Sequence, residues 1–232
     1  MNLLAFDTST EFLSLGVLRT QGGQDRLVQR QAPGGREASA TLIPAVMEML
    51  ADEGLALPDL RAIVFGAGPG SFTGLRTACA VAQGLAFGAN LPVLPLETLM
   101  AVAEEARQAA GVTQVTAVLD ARMDEVYAAS YLHDGRRWQR QGPIILSRPE
   151  ALPVPPGFVV AGNAAAAYGS RLPAGAGLIE ALPTAGALLR LAPGLIDEGL
   201  AIAADAALPV YVRDKVADTT AEREARRAAA TP

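Results

Sequence analysis

The spacing of apolar residues changes rhythm along this chain, and the changes divide it into elements. Residues 2–6 and 12–18 are short runs of apolar and small residues that predict two strands. Asp7-Thr8-Ser9-Thr10 joins them, a turn whose carboxylate and hydroxyls commonly bond their own backbone. Residues 27–31 predict a third strand, broken by Pro33-Gly34-Gly35. Over residues 37–53 the rhythm becomes helical, with Leu42, Val46, Met49 and Leu50 on one side. Pro44 either kinks this helix or marks its regular start, which Ser39 is placed to cap. Residues 62–65 predict a strand and residues 77–88 a helix, with Leu75, Cys79, Ala82 and Ala86 sharing a face. Between these two lies a glycine stretch, residues 66–76. A short strand at 91–94 and an alanine-rich helix from Pro95 to about Ala109 follow; this helix is a candidate bridge between lobes.

The second half repeats the scheme. Residues 115–119 and 126–132 predict strands, the latter with Tyr127 and Tyr131 on one face, joined by a polar turn at 120–125. Asp134-Gly135 signals a hairpin, and residues 136–141 and 144–146 complete a three-stranded meander. A proline-rich connector leads to a strand at 158–161, the turn Gly162-Asn163 and a short helix from Ala164. Thr184 is an N-cap for a helix from Ala185, with further helix after Pro193. Residues 206–211 are extended or helical. Both halves carry antiparallel strands, then a later strand that ends in a glycine turn. The expected fold is a duplicated α/β unit with mixed sheets and flanking helices. Its lobes are residues 1–98 and 99–217, followed by a polar tail at 218–232 that frays or is disordered.

Composition narrows the function. The chain has 232 residues, enough for two lobes around a sizeable core. Apolar residues make up 50% and aromatic ones 5%, so close helix packing is favoured over a broad aromatic binding face. A net charge of −5 and a pI of about 5.0 do not suit a protein that grips a nucleic-acid backbone by itself. The lone cysteine, Cys79, lies on the apolar side of a predicted helix, where packing outranks nucleophilic chemistry. The lone histidine, His133, has no partner at ligand spacing, so no metal site built on histidine is expected. No leader pattern or membrane-spanning run is seen, which makes the cytoplasm the expected location, with no membrane partner.

Candidate chemistry gathers at the glycine stretch. Strand, glycine turn, helix lets a backbone approach a ligand or another backbone, and the first helical amides can receive an anion. The stretch fits neither nucleotide-binding glycine motif and holds no acid, base or metal ligand. Gly68, Pro69, Gly70, Ser71, Phe72, Thr73, Gly74 and Arg76 are therefore read as a shaped structural turn, with a phosphate cradle as the alternative. Phe72 is expected in the core, and Arg76 in a salt bridge or on an anionic ligand. Asp7, Thr8 and Ser9 are read as a self-bonded turn, or alternatively as a nucleotide contact made through a metal ion. Ile43, Val46, Met47, Leu50, Ala78 and Ala82 form a candidate partner face, because the apolar set covers more of the helices than one core contact needs. Arg136, Arg137 and Arg140 are the strongest basic cluster, with a solvated strand as its default.

Five stretches, in order along nearly the whole chain, carry a resemblance. They are Leu4-Ala5-Phe6-Asp7-Thr8-Ser9, Leu42-Ile43-Pro44, residues 69–76, residues 120–127 and residues 209–217, the last reading Pro-Val-Tyr-Val-Arg-Asp-Lys-Val-Ala. Together they resemble the bacterial tRNA threonylcarbamoyladenosine biosynthesis family TsaB. The resemblance implies a two-lobed, actin-like and ribonuclease H-like fold without catalysis of its own. Members of that family support a larger paralogue, TsaD, which transfers threonylcarbamoyl to N6 of adenosine 37 in tRNA. The implied partners are a TsaD-type paralogue, a TsaE-type ATPase and, for the chain alone, a second copy, with any tRNA contact indirect or weak. No intrinsic cofactor is implied; ATP or ADP with magnesium belongs to the assembled complex. Family members often carry a histidine near the start of the first helix, where this chain has Glu37-Ala38-Ser39.

Two other functions compete. An autonomous ATPase or kinase of the same fold draws on Asp7, Thr8, Ser9 and the glycine turn, but no catalytic base or second acid for magnesium is evident. A metallopeptidase needs a metal-activated water, and no His-Glu-x-x-His is present.

Overall fold

Alternation along β1 (Asn2–Asp7) sends Leu4 and Phe6 to one side of a sheet and Leu3 and Ala5 to the other. The computed structural model describes residues 1–35, 37–173 and 177–213. In it β1 pairs antiparallel with β2 (Phe12–Gln21), and β2 with β3 (Gln24–Pro33). The β2–β3 turn is Gly22-Gly23, both at positive φ, as a two-residue hairpin requires. On its other side β1 runs parallel to β4 (Ala62–Gly68), which is buried throughout and parallel to β5 (Val93–Glu97). The sheet order is β3-β2-β1-β4-β5. Helices α1 (Ala38–Asp52) and α2 (Phe72–Ala89) cover one face through Leu42, Val46, Met49, Ala78 and Ala82.

The second sheet repeats this order, β8-β7-β6-β10-β11. Its strands are β6 (Gln114–Arg122), β7 (Glu125–His133), β8 (Trp138–Arg140), β10 (Val159–Gly162) and β11 (Leu178–Glu180). The parallel and antiparallel pairings also repeat: β6–β7 and β7–β8 are antiparallel, β6–β10 and β10–β11 parallel. Helix α3 (Thr98–Ala110) packs Leu99, Val102 and Ala106 on one face, where Tyr127 and Tyr131 are buried together. The short α4 (Ala164–Tyr168) lies on the other.

Several boundaries differ from the expected ones. Helix α2 begins at Phe72, inside the glycine stretch, because Ser71 caps it by accepting from Gly74 N. Strand β5 runs through Pro95 to Glu97, and α3 starts only at Thr98. Strand β9 (Ile145–Ser147) pairs with β7, not with β8, so in place of a meander two short strands lie one after the other along the same edge of β7. Helix α5 (Ala185–Asp197), capped by Thr184, runs unbroken through Pro193. The larger correction concerns the lobes. Leu188, Leu189 and Ala192 of α5 pack on Leu3, Ala5 and Val64, the free face of the first sheet. The first lobe thus takes its last helix from the far end of the chain, and residues 99–217 are not one packing unit. The tail expected at residues 218–232 lies outside the described residues.

The two lobes meet at a buried charge. Glu104 of α3 is 2% exposed and accepts from Arg107 (2.9 Å), Trp138 Nε1 of β8 (3.0 Å) and Arg190 of α5 (3.1 Å). Burial pushes this carboxyl up, but the hydrogen bonds from Arg107, Trp138 and Arg190 outweigh it and hold it below its usual value. Nearby, Tyr131 OH donates to Glu97 (2.7 Å), which also pairs with Arg140.

Candidate functional site

Strands β1 and β6 occupy the same place in the two sheets, and each carries an aspartate at its C-terminal end: Asp7 is the last residue of β1, and Asp120 stands two residues before the end of β6. The loops that follow face one another across a cleft of ≈ 810 Å³. One wall is the turn after β1 with the N-terminus of α2. The other is the β6–β7 turn with Asn163 ahead of α4.

The first wall is built from backbone packed on backbone. Asp7 Oδ1 accepts from Ser9 N (2.9 Å) and Ser9 Oγ (2.6 Å), which closes the turn on itself. Thr8 Oγ1 donates to Gly74 O at 2.7 Å, and Ser71 N donates to Ser9 O at 2.7 Å. A Cβ on Gly74 would stand 1.8 Å from Thr8 O, and one on Gly70 would stand 2.6 Å from Ser9. Those glycines let α2 start directly on the β1–β2 turn. Pro69 O accepts from the buried Thr98 hydroxyl. Asp7 and Thr8 are each 1% exposed and lie behind this wall; of the three turn residues proposed to contact nucleotide, only Ser9 lines the cleft. Asp7 Oδ2 is buried without a partner, against Gly66, where a Cβ would stand 1.7 Å away. Burial raises the Asp7 carboxyl to about 6, against the opposing pull of the Ser9 bonds.

Phe72 and Arg76 depart from expectation. Phe72 is half-buried at the cleft rather than in the core. Arg76 lies 3.8 Å over its ring and donates from Nε to Tyr211 OH at 3.0 Å. The guanidinium has found an aromatic pair, since the Phe72 and Tyr211 rings are 5.2 Å apart.

On the second wall Asp120 Oδ1 accepts from Tyr168 OH (2.7 Å) and Arg122 N (2.8 Å), and Asn163 Oδ1 accepts from Asp120 N (2.9 Å). Burial, followed by that bond to Asp120, pushes the Tyr168 hydroxyl up to about 12. Gly162, at φ 148°, lets β10 pass where a Cβ would stand 1.7 Å from Val118 O. Arg213 donates to Glu125 Oε2 at 2.7 Å and to Ala121 O at 3.1 Å. Sequence reasoning assigned no role to Tyr211 or Arg213. The signal present was their i, i+2 spacing in an extended stretch, which turns both to one side.

The other assigned residues lie elsewhere. Cys79 is buried, its Sγ 3.5 Å from Ala207 O, and burial pushes the thiol up. His133 packs edge-on against Trp138. Arg140 pairs with Glu97 and Arg137 with Glu198, while the Arg136 N–H caps Asp134 in the hairpin turn. Of the candidate partner face, Ile43 (45%) and Met47 (48%) are exposed. Val46, Leu50, Ala78 and Ala82 are at most 1% exposed and fill the first lobe's own core, so as folded they cannot face a partner.

The family model of TsaD, the tRNA N6-adenosine threonylcarbamoyltransferase, matches residues 28–166. The tRNA threonylcarbamoyladenosine biosynthesis protein TsaB of Escherichia coli strain K12 is 35% identical over 228 residues, which span 94% of this chain and 96% of that protein. The chain belongs to the TsaB family. The Haemophilus influenzae TsaB is 42% identical over 134 residues, 58% of this chain and 55% of that one. The solved structure of YeaZ from Pseudomonas aeruginosa superposes with a TM-score of 0.83 at 38% identity, over 90% of this chain and 99% of that one. With the TsaB family comes the fold class: a duplicated actin-like, ribonuclease H-like arrangement of two mixed sheets. In this chain the glycine stretch seats α2 on the β1–β2 turn, and the Asp-Ala-Arg stretch at 120–122 forms the facing wall.

Proposed function

We propose that this chain is the non-catalytic scaffold and activator of tRNA N6-threonylcarbamoyladenosine formation at adenosine 37. It binds a TsaD-type transferase through its first lobe, and a TsaE-type ATPase joins the assembly. The relatives in Escherichia coli and Haemophilus influenzae carry the biosynthesis name, and the matching family model is that of the transferase. The observation that carries the reading is the outer surface of α1 and α2. Ile43 and Met47, one turn apart on α1, are about half exposed although the lobe's core is already filled beneath them. Helix α2 turns Ala80 and Gly84 outward, with open space around Gly84, and its Phe87 is 81% exposed. Small residues admit a second helix closely, and the apolar side chains supply area.

In isolation the same surface pairs two copies, so self-association and heterodimer formation compete. The reacting groups are assigned to the partner, as are ATP or ADP and magnesium. Contact with tRNA is indirect or weak, in line with a net charge of −5. The assembly works in the cytoplasm. No helix among the described residues is long and apolar enough to cross a membrane.

The test is co-purification with the TsaD-type paralogue, followed by modification of adenosine-37 tRNA with and without this chain. Transfer is expected only when both are present. Transfer by the chain alone, or undiminished transfer by the paralogue without it, refutes the proposal.

A further inference from the structure

The last described stretch, residues 207–213, begins on the first lobe and ends on the second. Ala207 O accepts from Gln83 Nε2 of α2 at 3.0 Å. Val210 N donates to Ala67 O at 2.7 Å, and Val210 O fills the space beside Gly68, where a Cβ would stand 2.4 Å away. Tyr211 then meets Phe72 and Arg76. Two residues on, Arg213 reaches Glu125 and Ala121 O of the second lobe, with its side chain 11% exposed. Leu208 stays 71% exposed, so separate anchors hold the stretch rather than continuous apolar burial.

The receiving turn is unusual. Arg122, Met123 and Asp124 are three consecutive non-glycine residues at positive φ (60°, 56° and 67°). Side-chain-bearing residues adopt that region at a cost, and such turns persist when surrounding contacts over-determine them. Arg213 supplies contacts of this kind: Nη2 also lies 3.4 Å from Arg122 O, and Nη1 lies 3.0 Å from Met123 Sδ.

Position gives these contacts a purpose. The lobes are already joined at α3, α5 and β8 through Glu104, Arg190 and Trp138, none of which lines the cleft. Residues 210–213 line the cleft together with both of its walls. A joint on one side and a crossing segment at the cleft are the two fastenings of a hinged pair.

We propose that residues 210–213 are an interlobe strap. It holds the two lobes at a fixed spacing and sits as the cleft's resident occupant, and the cleft opens only when Arg213 leaves the 121–125 turn.

The test uses the full chain with spin labels at Gln24→Cys and Arg148→Cys, one on each lobe, and the buried Cys79 left in place. Labelled protein is diluted into unlabelled protein so that only distances within one chain are read. The parent is expected to show a narrow distance distribution. Tyr211→Ala with Arg213→Ala should at least double its width, and backbone hydrogen exchange at residues 121–125 should rise at least tenfold. If the double variant keeps the parent's width and exchange, the strap does not hold the lobes. Arg213→Lys keeps the charge but loses the fork that reaches a carboxylate and a carbonyl together. Faster exchange confined to residues 121–125 in that variant supports the strap. An equal rise in β1 and β4 shows instead that Arg213 only adds general stability, and overturns it.

Discussion

The carbonyl oxygen of Thr8 stands where a Cβ on Gly74 would have to be, 1.8 Å from that point, while the Thr8 hydroxyl donates to Gly74 O at 2.7 Å. Glycine in a helix ordinarily costs about 1 kcal/mol relative to alanine. At Gly74 that order is reversed, because the first turn of α2 is pressed on the β1–β2 turn.

Gly74→Ala should therefore lower stability by about 1–3 kcal/mol, the usual cost of overpacking. Gly84→Ala, ten residues along the same helix with nothing near its missing Cβ, should raise it by up to about 1 kcal/mol. Urea midpoints for the two variants check the pair; a shift of the same sign in both contradicts the packing account.

Asp7 has a folded-state pKa of about 6, above its usual value of 3.8. Between those values the native state binds more protons than the unfolded state, so this group's contribution to stability falls as pH rises from 4 to 6. Above pH 6 the buried charge costs about 3 kcal/mol, on the basis of 1.36 kcal/mol per unit. Asp7→Asn should be more stable than the parent at pH 7.5, with the difference shrinking toward pH 4. Denaturation curves across that range decide it, and a difference that grows on acidification runs against the assignment.

Glu104 has the opposite sign. Its carboxyl is held low, so its contribution is present at neutral pH and lost as pH falls through the folded value. Glu104→Gln leaves Arg107 and Arg190 without their shared carboxylate. Breaking a buried pair from one side costs about 3–5 kcal/mol. The lower end is expected, because the two arginines remain 35% and 26% exposed. Trp138, the sole tryptophan, donates to the same carboxylate, so its fluorescence should shift along with the melting temperature.

Met47→Glu and Val46→Glu separate surface from core on adjacent residues. Met47 is 48% exposed and Val46 is fully buried. Met47→Glu should leave the circular dichroism spectrum intact while weakening self-association and heterodimer formation by tenfold or more. Val46→Glu should lose the fold, since an unpaired charge enters the core. Sedimentation velocity reads the association state. Unchanged association for Met47→Glu and for further charges along α1 and α2 moves the interface elsewhere.

Much of the frame was legible in the sequence because it rests on local pattern. Short runs of apolar and small residues marked β1 and β2, alternation marked β7, and the repeat of strand, glycine turn and helix marked the duplication. The Asp7–Ser9 turn was legible because its bonds are made within three residues. The start of α2 was not: the four glycines between residues 66 and 74 read as a turn, yet Gly70 and Gly74 answer to Thr8 and Ser9, far away in the chain. The roles of Tyr211 and Arg213 were illegible for the same reason, since their partners Arg76 and Glu125 lie 135 and 88 residues off. Phe72 was expected in the core as the large apolar side chain that would anchor the glycine turn. Here its neighbours Arg76 and Tyr211 cover it from the solvent side instead. No pattern within α5 tells which of two sheets its apolar side will cover.

That last choice bears on how the protein is made. The first sheet has all five strands once Glu97 has been synthesised, and α1 and α2 can already cover one of its faces. Leu3, Ala5 and Val64 on the other face wait for Ala185–Asp197. The nascent N-terminal half therefore leaves the ribosome with a bare apolar side, the kind of surface that recruits chaperones or aggregates. Its second sheet is translated and free to pair before the first is sealed. The oldest strands of the first lobe are thus sealed late, by a helix made after the whole of the second sheet.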